Sequence, residues 1–315
     1  MNQLLTIERS CLIAHILSMA FGLAGLLIVL PNAEFISHLS ARGLQLFGWS
    51  MAQGGVMYII LGAIAVALHA YRTLGLRTGL SFMVPAVCLS LSSELLGTST
   101  GFPFGAYHYL SGLGYKIQGL VPFTIPLSWF YMGLSCYLLA RAGVETLKMP
   151  LWLRHIGAIA LGAILLTAWD LVLDPAMSQT DVPFWAFQET GAFFGMPYRN
   201  LAGWIGTGVV FMTVAAATQS QSQFVLPRQH LGLSLIVYLV NFAFGATITL
   251  VSLEAGFIVP TLLSVLFGVV PAIGCWWVAG GDRPLEAQGM ALGEEVSEDI
   301  TQRPIASLEP VERSL

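Results

Sequence analysis

Three carboxyls set inside or at the ends of apolar stretches are the groups of this chain best suited to acid–base chemistry. They are Glu94 in SSELLGTSTGFPFGAYHY (92–109), and Asp170 and Asp174 in TAWDLVLDPAM (167–177). Taking an ionised carboxylate into hydrocarbon costs several kcal/mol, so a carboxyl buried there tends to hold its proton and serves as a neutral acid at neutral pH. Such an acid can protonate a weakly basic substrate. Asp170 and Asp174 stand four residues apart on one helical face, close enough to share a proton or divide roles. His108, in FGAYHY, is suited to relaying a proton or orienting a water. The bland alternatives are that the acids cap a helix end, pair with Arg199 or aid packing, and that His108 is a satisfied interfacial histidine.

Aromatic residues crowd the same two stretches. Phe102, Phe104, Tyr107 and Tyr109 follow Glu94, Trp169 precedes Asp170, and Phe184, Trp185, Phe193, Phe194, Tyr198 and Trp204 come after Asp174. Aromatic belts at membrane interfaces are common. Here the rings sit in glycine-rich connections where backbones approach closely, so they are candidates to line a slot for a long apolar substrate. Their faces would also stabilise a developing cation. Arg199 and Asn200, in PYRNLAGW, open a helix. Arg199 is expected to pair with Asp174 or Glu189, or to meet a ligand, and Asn241 is expected to make an interhelical hydrogen bond.

The elements that must hold these groups are membrane helices. The chain is 56% hydrophobic and 10% charged, with mean hydropathy +0.76, where soluble domains carry about 25% charged residues. Positions 281–315 hold eight acids and three arginines, so the remainder is net +1 although the whole chain is −4. Nine carboxylates precede that segment, few enough that each one in an apolar run needs a reason. The four cysteines, Cys11, Cys88, Cys136 and Cys275, are far apart in apolar segments and read as packing residues. The run from Cys11 to Leu30 lacks a small-x-small cleavage site and reads as a retained helix rather than a signal peptide.

Counting about 20 apolar residues per crossing gives an all-α polytopic bundle of about eight spans: 11–30, 50–70, 79–97, 122–140, 153–174, 201–218, 231–252 and 257–279. With eight alternating spans, the side of both termini receives ten basic residues, from Arg9 to Arg313, and the other side only Arg42, Lys116 and Arg199. That asymmetry predicts cytoplasmic termini. Glu94, Asp170, Asp174 and Glu254 then share the non-cytoplasmic level. So do the two long connections, 98–121 and 175–200, which are expected to fold over the helix ends as a lid. We therefore expect a transmembrane catalytic domain over 1–280 and a disordered acidic tail over 281–315, whose three prolines and lack of apolar periodicity suit disorder.

Some chemistries are disfavoured at this stage. The six histidines form no H-x-x-H or H-x-x-x-H pair, which argues against a di-iron membrane oxygenase, and Lys116 alone is too little for a phosphate site. No nucleic-acid partner is expected. A membrane prenyltransferase is one alternative, because W-D-L-V-L-D-P resembles half of an Asp-rich diphosphate site, but a second Asp-rich segment and clustered basic residues are missing. A transporter or lipid-binding scaffold with an acidic relay is another, although the acids gather at one interface.

SSELLGTSTGFPFGAYHY, VPFTIPLSWFYMG, TAWDLVLDPAM and FFGMPYRNLAGW together resemble a membrane-integral carotenoid biosynthesis family, over about residues 50 to 280. That family includes the cyanobacterial carotenoid 1',2'-hydratase and the archaeal bisanhydrobacterioruberin hydratase. The resemblance implies addition of water across the terminal C1',2' double bond of an acyclic carotenoid end group, in gamma-carotene or lycopene. The product would feed a myxol glycoside pathway with a downstream carotenoid glycosyltransferase, in a bacterial plasma membrane or thylakoid. Such chemistry needs no metal or redox cofactor. It needs a neutral acid, aromatic shielding and one positioned water, and Glu94, Asp170, Asp174 and His108 are the candidates for those roles.

Overall fold

The computed structural model describes residues 2–218 and 226–279, so the acidic segment 281–315 lies outside the described residues. The chain runs through α1 (Asn2–Ala24, continued by a π turn at Gly25–Val29), α2 (Ala33–Ser37), α3 (Ala41–Leu74) and α4 (Leu76–Thr100). After the short strands β1 (Tyr107–Tyr109), β2 (Lys116–Ile117) and β3 (Val121–Pro122) come α5 (Thr124–Glu145) and α6 (Leu151–Ser178). Strand β4 (Trp185–Phe187) precedes α7 (Tyr198–Thr218) and α8 (Arg228–Ser252). The last crossing joins α9 (Ile258–Ser264) to α10 (Val270–Val278) through a π turn at Val265–Val269.

Every expected span falls on a helix, and seven of these helices are long and apolar enough to cross a membrane on their own composition. The protein is an integral, multi-pass membrane bundle. Helix α5 is the exception to the composition rule, diluted by Ser, Tyr and Arg141. Its position explains why that is tolerated. Almost every residue from Trp129 to Val144 is buried, because α3, α4, α6, α8 and α10 all pack against it. A helix sheathed by other helices meets no lipid, so its side chains answer to packing rather than to the bilayer. Gly133 and Gly143 give the space: a Cβ at either would press into the Phe211 ring or the Cys275 side chain.

Several buried polar groups pair between helices along the bundle, which offsets the cost of placing them in hydrocarbon. Midway, Tyr131 donates to Asn241 Oδ1 at 2.9 Å, the Asn241 amide reaches His15 Nε2 at 3.2 Å, and His15 Nδ1 lies 2.7 Å from the Tyr58 carbonyl. The interhelical role expected for Asn241 is thus found. At the end of the bundle remote from Glu94, Arg72 and His69 hold Glu8, while Arg154 donates to Glu145 at 3.2 Å. The strongly charged contacts of the membrane helices gather there, away from the three acids.

At the opposite end the two long connections do fold over the helices, by a device the sequence does not signal. Strands β1 and β4 pair antiparallel, with Tyr107 opposite Phe187, His108 opposite Ala186 and Tyr109 opposite Trp185. Lys116 donates to the Tyr109 carbonyl at 2.6 Å and Thr124 to that of Leu113 at 2.6 Å, which tie the first connection to the start of α5.

Candidate active site

Glu94 lies near the C-terminal end of α4 and is only 4% exposed. Three donors aim at it. Trp129 Nε1, in the second turn of α5, donates to Oε1 at 2.9 Å, and the Tyr109 hydroxyl donates to Oε2 at 2.8 Å. The Tyr107 hydroxyl donates to the same Oε2. Strand alternation brings both tyrosines to one face of β1, and the strand is buried, exposed, buried in turn. Burial, reinforced by the nearby Glu94 carboxyl, pushes both phenols well above the ordinary tyrosine range, so they stay protonated donors. A carboxylate offers about four acceptor positions; the spare one here is on Oε1.

Asp170 and Asp174 are 0% and 2% exposed in the last turns of α6. The Asn200 amide nitrogen donates to Oδ2 of both, at 3.1 Å to Asp170 and 2.5 Å to Asp174. Trp185 Nε1 donates to Asp174 Oδ1 at 2.6 Å, so the strap formed by β1 and β4 is bolted to α6. Asp170 Oδ1 and Trp169 Nε1 are buried without a protein partner, two atoms that a water would satisfy.

The two clusters meet across one cavity of about 40 Å³, room for a water or two. Glu94 and Asp174 both face it, within walls that include Phe104, Tyr107, Trp129 and Trp204. The indoles of Trp129 and Trp204 stack at 4.1 Å, and Trp169 meets Trp204 edge-on at 6.0 Å. Phe104, Tyr107 and Tyr109 continue the aromatic wall with edge contacts of 6.0 and 5.5 Å. Polar acids thus confront one another inside a shell of π faces.

Of the residues singled out from sequence, Glu94, Asp174, Phe104, Tyr107, Tyr109, Trp185, Asn200 and Trp204 line this cavity, and Asp170 and Trp169 stand directly behind it. Phe184, Phe193 and Phe194 do not line it, and neither do His108, Arg199, Tyr198 and Phe102. His108 is exposed because it occupies the outward position of β1, between its two inward tyrosines. Arg199 is exposed and makes no ion pair among the described residues, so the expected pairing with Asp174 or Glu189 is corrected. One step along α7 turns the chain by about 100°, and it is Asn200 that faces the aspartates. Tyr198 is 64% exposed and packs on Phe193, and Phe102 is 68% exposed just beyond the end of α4. Five cavity residues were not singled out from the sequence, namely Trp129, Ile125, Ser128, Leu173 and Phe187. The signal for Trp129 was available: a buried indole N–H needs an acceptor, and at the start of α5 the nearby acceptors are these acids. Among the described residues no basic side chain lines the cavity, which leaves a diphosphate group without a counter-charge from them.

A polytopic helical membrane protein with an acid pair, a third carboxyl and an aromatic shell at one end is the class that fold and site define. The chain belongs to the carotenoid biosynthesis protein family, whose model matches residues 54–271 and so covers every cavity residue. It is similar to the bisanhydrobacterioruberin hydratase of Haloarcula japonica, with 34% identity over 134 residues. That match covers 42% of this chain and 43% of the relative, so it spans less than half of either protein. No solved structure matches the chain.

Proposed function

We propose that this protein is a carotenoid 1',2'-hydratase, adding water across the terminal C1',2' double bond of an acyclic end group to give a tertiary 1'-hydroxyl. The observation that carries the reading is the facing of Glu94 and Asp174 across one water-sized, aromatic-walled cavity. The relative named a hydratase supports the same reaction type. Gamma-carotene or lycopene are the substrates we favour, in a myxol glycoside type of pathway with a downstream glycosyltransferase. The domain 1–280 would carry the activity, with the cavity at the non-cytoplasmic end of the bundle.

In this mechanism Asp174 transfers its proton to C2', forming the C2'–H bond with the alkene electron pair and leaving a tertiary cation at C1'. The aromatic wall formed by Trp129, Trp204 and Phe104 stabilises that cation. A water held on the spare position of Glu94 Oε1 forms the C1'–O bond and passes its proton to Glu94. The proton then returns from Glu94 to Asp174 through cavity water, and the cycle closes with no change in oxidation state. Asp170 shares the Asn200 amide with Asp174 and acts as its positioning partner.

The test is pigment analysis in a bacterium that makes lycopene or gamma-carotene, with and without this protein. A new pigment heavier by one water, with unchanged polyene absorption, is the expected result. Confirmed membrane expression with both carotenes supplied and no such pigment would overturn the reading.

A further inference from the structure

A cavity of about 40 Å³ beside the acids leaves no room for an end group, still less for the chain attached to it. The apolar remainder of the substrate needs a second seat. Between α4 and α7 runs a groove of about 250 Å³, lined by Leu89, Ser93, Phe102, Gly206, Thr207 and Val210. Phe102 and Val210 are 68% and 51% exposed, so the groove opens on the outer surface of the bundle. Its two hydroxyls, Ser93 and Thr207, bond each other at 2.8 Å, so each oxygen has a partner within the groove wall.

The groove and the acid cavity are lined by neighbouring residues around Phe104. Ser93 of the groove adjoins Glu94 of the cavity, and Thr207 lies one turn beyond Trp204. Phe102 and Pro103 line the groove while Phe104 lines the cavity. The Phe104 ring fills the seam between the helices at two glycines. A Cβ on Gly97 would come within 2.8 Å of its Cδ2, and one on Gly203 within 2.5 Å of its Cδ1. Both helices have given up a side chain where this ring sits.

We infer that the α4–α7 groove seats the polyene chain of the substrate from within the bilayer, with Phe104 as the gate through which the end group reaches the acids. The identity of the chain rests on the hydratase reading; the groove and gate rest on the geometry. A rival recess, between α1 and α3 beside Gly54 and Tyr58, holds only about 40 Å³.

Gly206 and Gly54 allow a clean comparison, since a Cβ at either meets nothing within 4 Å. Gly206→Trp places an indole at the groove from a position where the Cβ is free, and Gly54→Trp does the same at the rival recess. Two quantities are read on full-length protein purified from carotene-making cells. One is polyene absorbance retained per mole of protein; the other is hydration of the full carotene against a ten-carbon analogue bearing the same terminal alkene. Gly206→Trp is expected to lower retained polyene and carotene hydration by about tenfold or more, while hydration of the analogue stays within about twofold. Gly54→Trp is expected to change neither. Retention and carotene hydration in Gly206→Trp equal to the unsubstituted protein, loss in Gly54→Trp instead, or no retained polyene on the unsubstituted protein would each overturn the groove assignment. If no form yields a water adduct, yet retention is lost only in Gly206→Trp, the groove stands and the hydratase reading falls.

Discussion

The indole N–H of Trp129 donates to Glu94 Oε1 at 2.9 Å across 35 positions of sequence, and this bond joins α5, the buried centre of the bundle, to α4 at the level of the acids. Trp129 also stacks on Trp204, so one side chain both orients a carboxylate and forms the wall facing it. Trp129→Phe keeps an aromatic face and removes the donor. Leaving a buried acceptor unpaired costs about 1–3 kcal/mol, so we expect hydration to fall about 10- to 100-fold with membrane accumulation retained. Immunoblotting of membranes beside pigment turnover checks this. Unchanged turnover would show that Glu94 needs no orientation by Trp129.

The acids themselves are expected to be indispensable. Asp174→Asn and Glu94→Gln preserve shape but remove proton transfer, a contribution of about 10²–10⁴ in rate. Asp170→Asn should also lower turnover but by less, because Asp170 stands behind the cavity rather than on it. Single-turnover assays in membranes would rank the three, and equal activity in Asp174→Asn and the unsubstituted protein would remove Asp174 from the donor role.

Asn200 is the hinge between the two aspartates, donating to both. Asn200→Leu takes away the one group that both carboxyls share and is expected to lower thermal stability by about 1–3 kcal/mol as well as activity. Thermal unfolding in detergent, compared with Arg199→Leu as an exposed neighbour, separates this from a general effect on the start of α7.

Alkaline pH offers a check on the tyrosine pair. Their phenols lie above the usual range in the folded protein, so folding binds their protons more tightly than the unfolded chain does. That stability is fully present below the unfolded tyrosine value of about 10 and is lost as pH rises from there toward the folded values. Tyr107→Phe with Tyr109→Phe should therefore flatten the alkaline fall in unfolding temperature above about pH 10. An identical fall in the double variant would contradict the burial of these hydroxyls.

His108→Ala is expected to leave turnover within about twofold, since the side chain points away from the cavity. This outcome distinguishes the folded arrangement from a reading by residue type alone.

The contrast between His108 and Asn200 shows where sequence reading stops. The helices were legible because each needs a run of about 20 apolar residues, and even α5 could be counted despite its aromatics and Arg141. The three acids were legible because carboxyls in such runs are costly. The strap was not: YHY and WAF are three residues each, too short for alternation to register, and their pairing is set by contacts 76 to 80 positions apart. That pairing decides that Tyr107 and Tyr109 face Glu94 while His108 faces out. Likewise, the phase of α7 at its first turn decides between Arg199 and Asn200, and helix ends are where sequence fixes phase least.

The most direct test of the central claim is the origin of the product oxygen. Membranes containing this protein would be incubated with an acyclic carotene in water enriched in oxygen-18, and the pigments analysed by mass spectrometry. The account requires a hydroxylated product carrying one heavy oxygen from water, absent in Asp174→Asn and Glu94→Gln membranes. A product whose oxygen derives from dioxygen, or hydration undiminished in both variants, would contradict it.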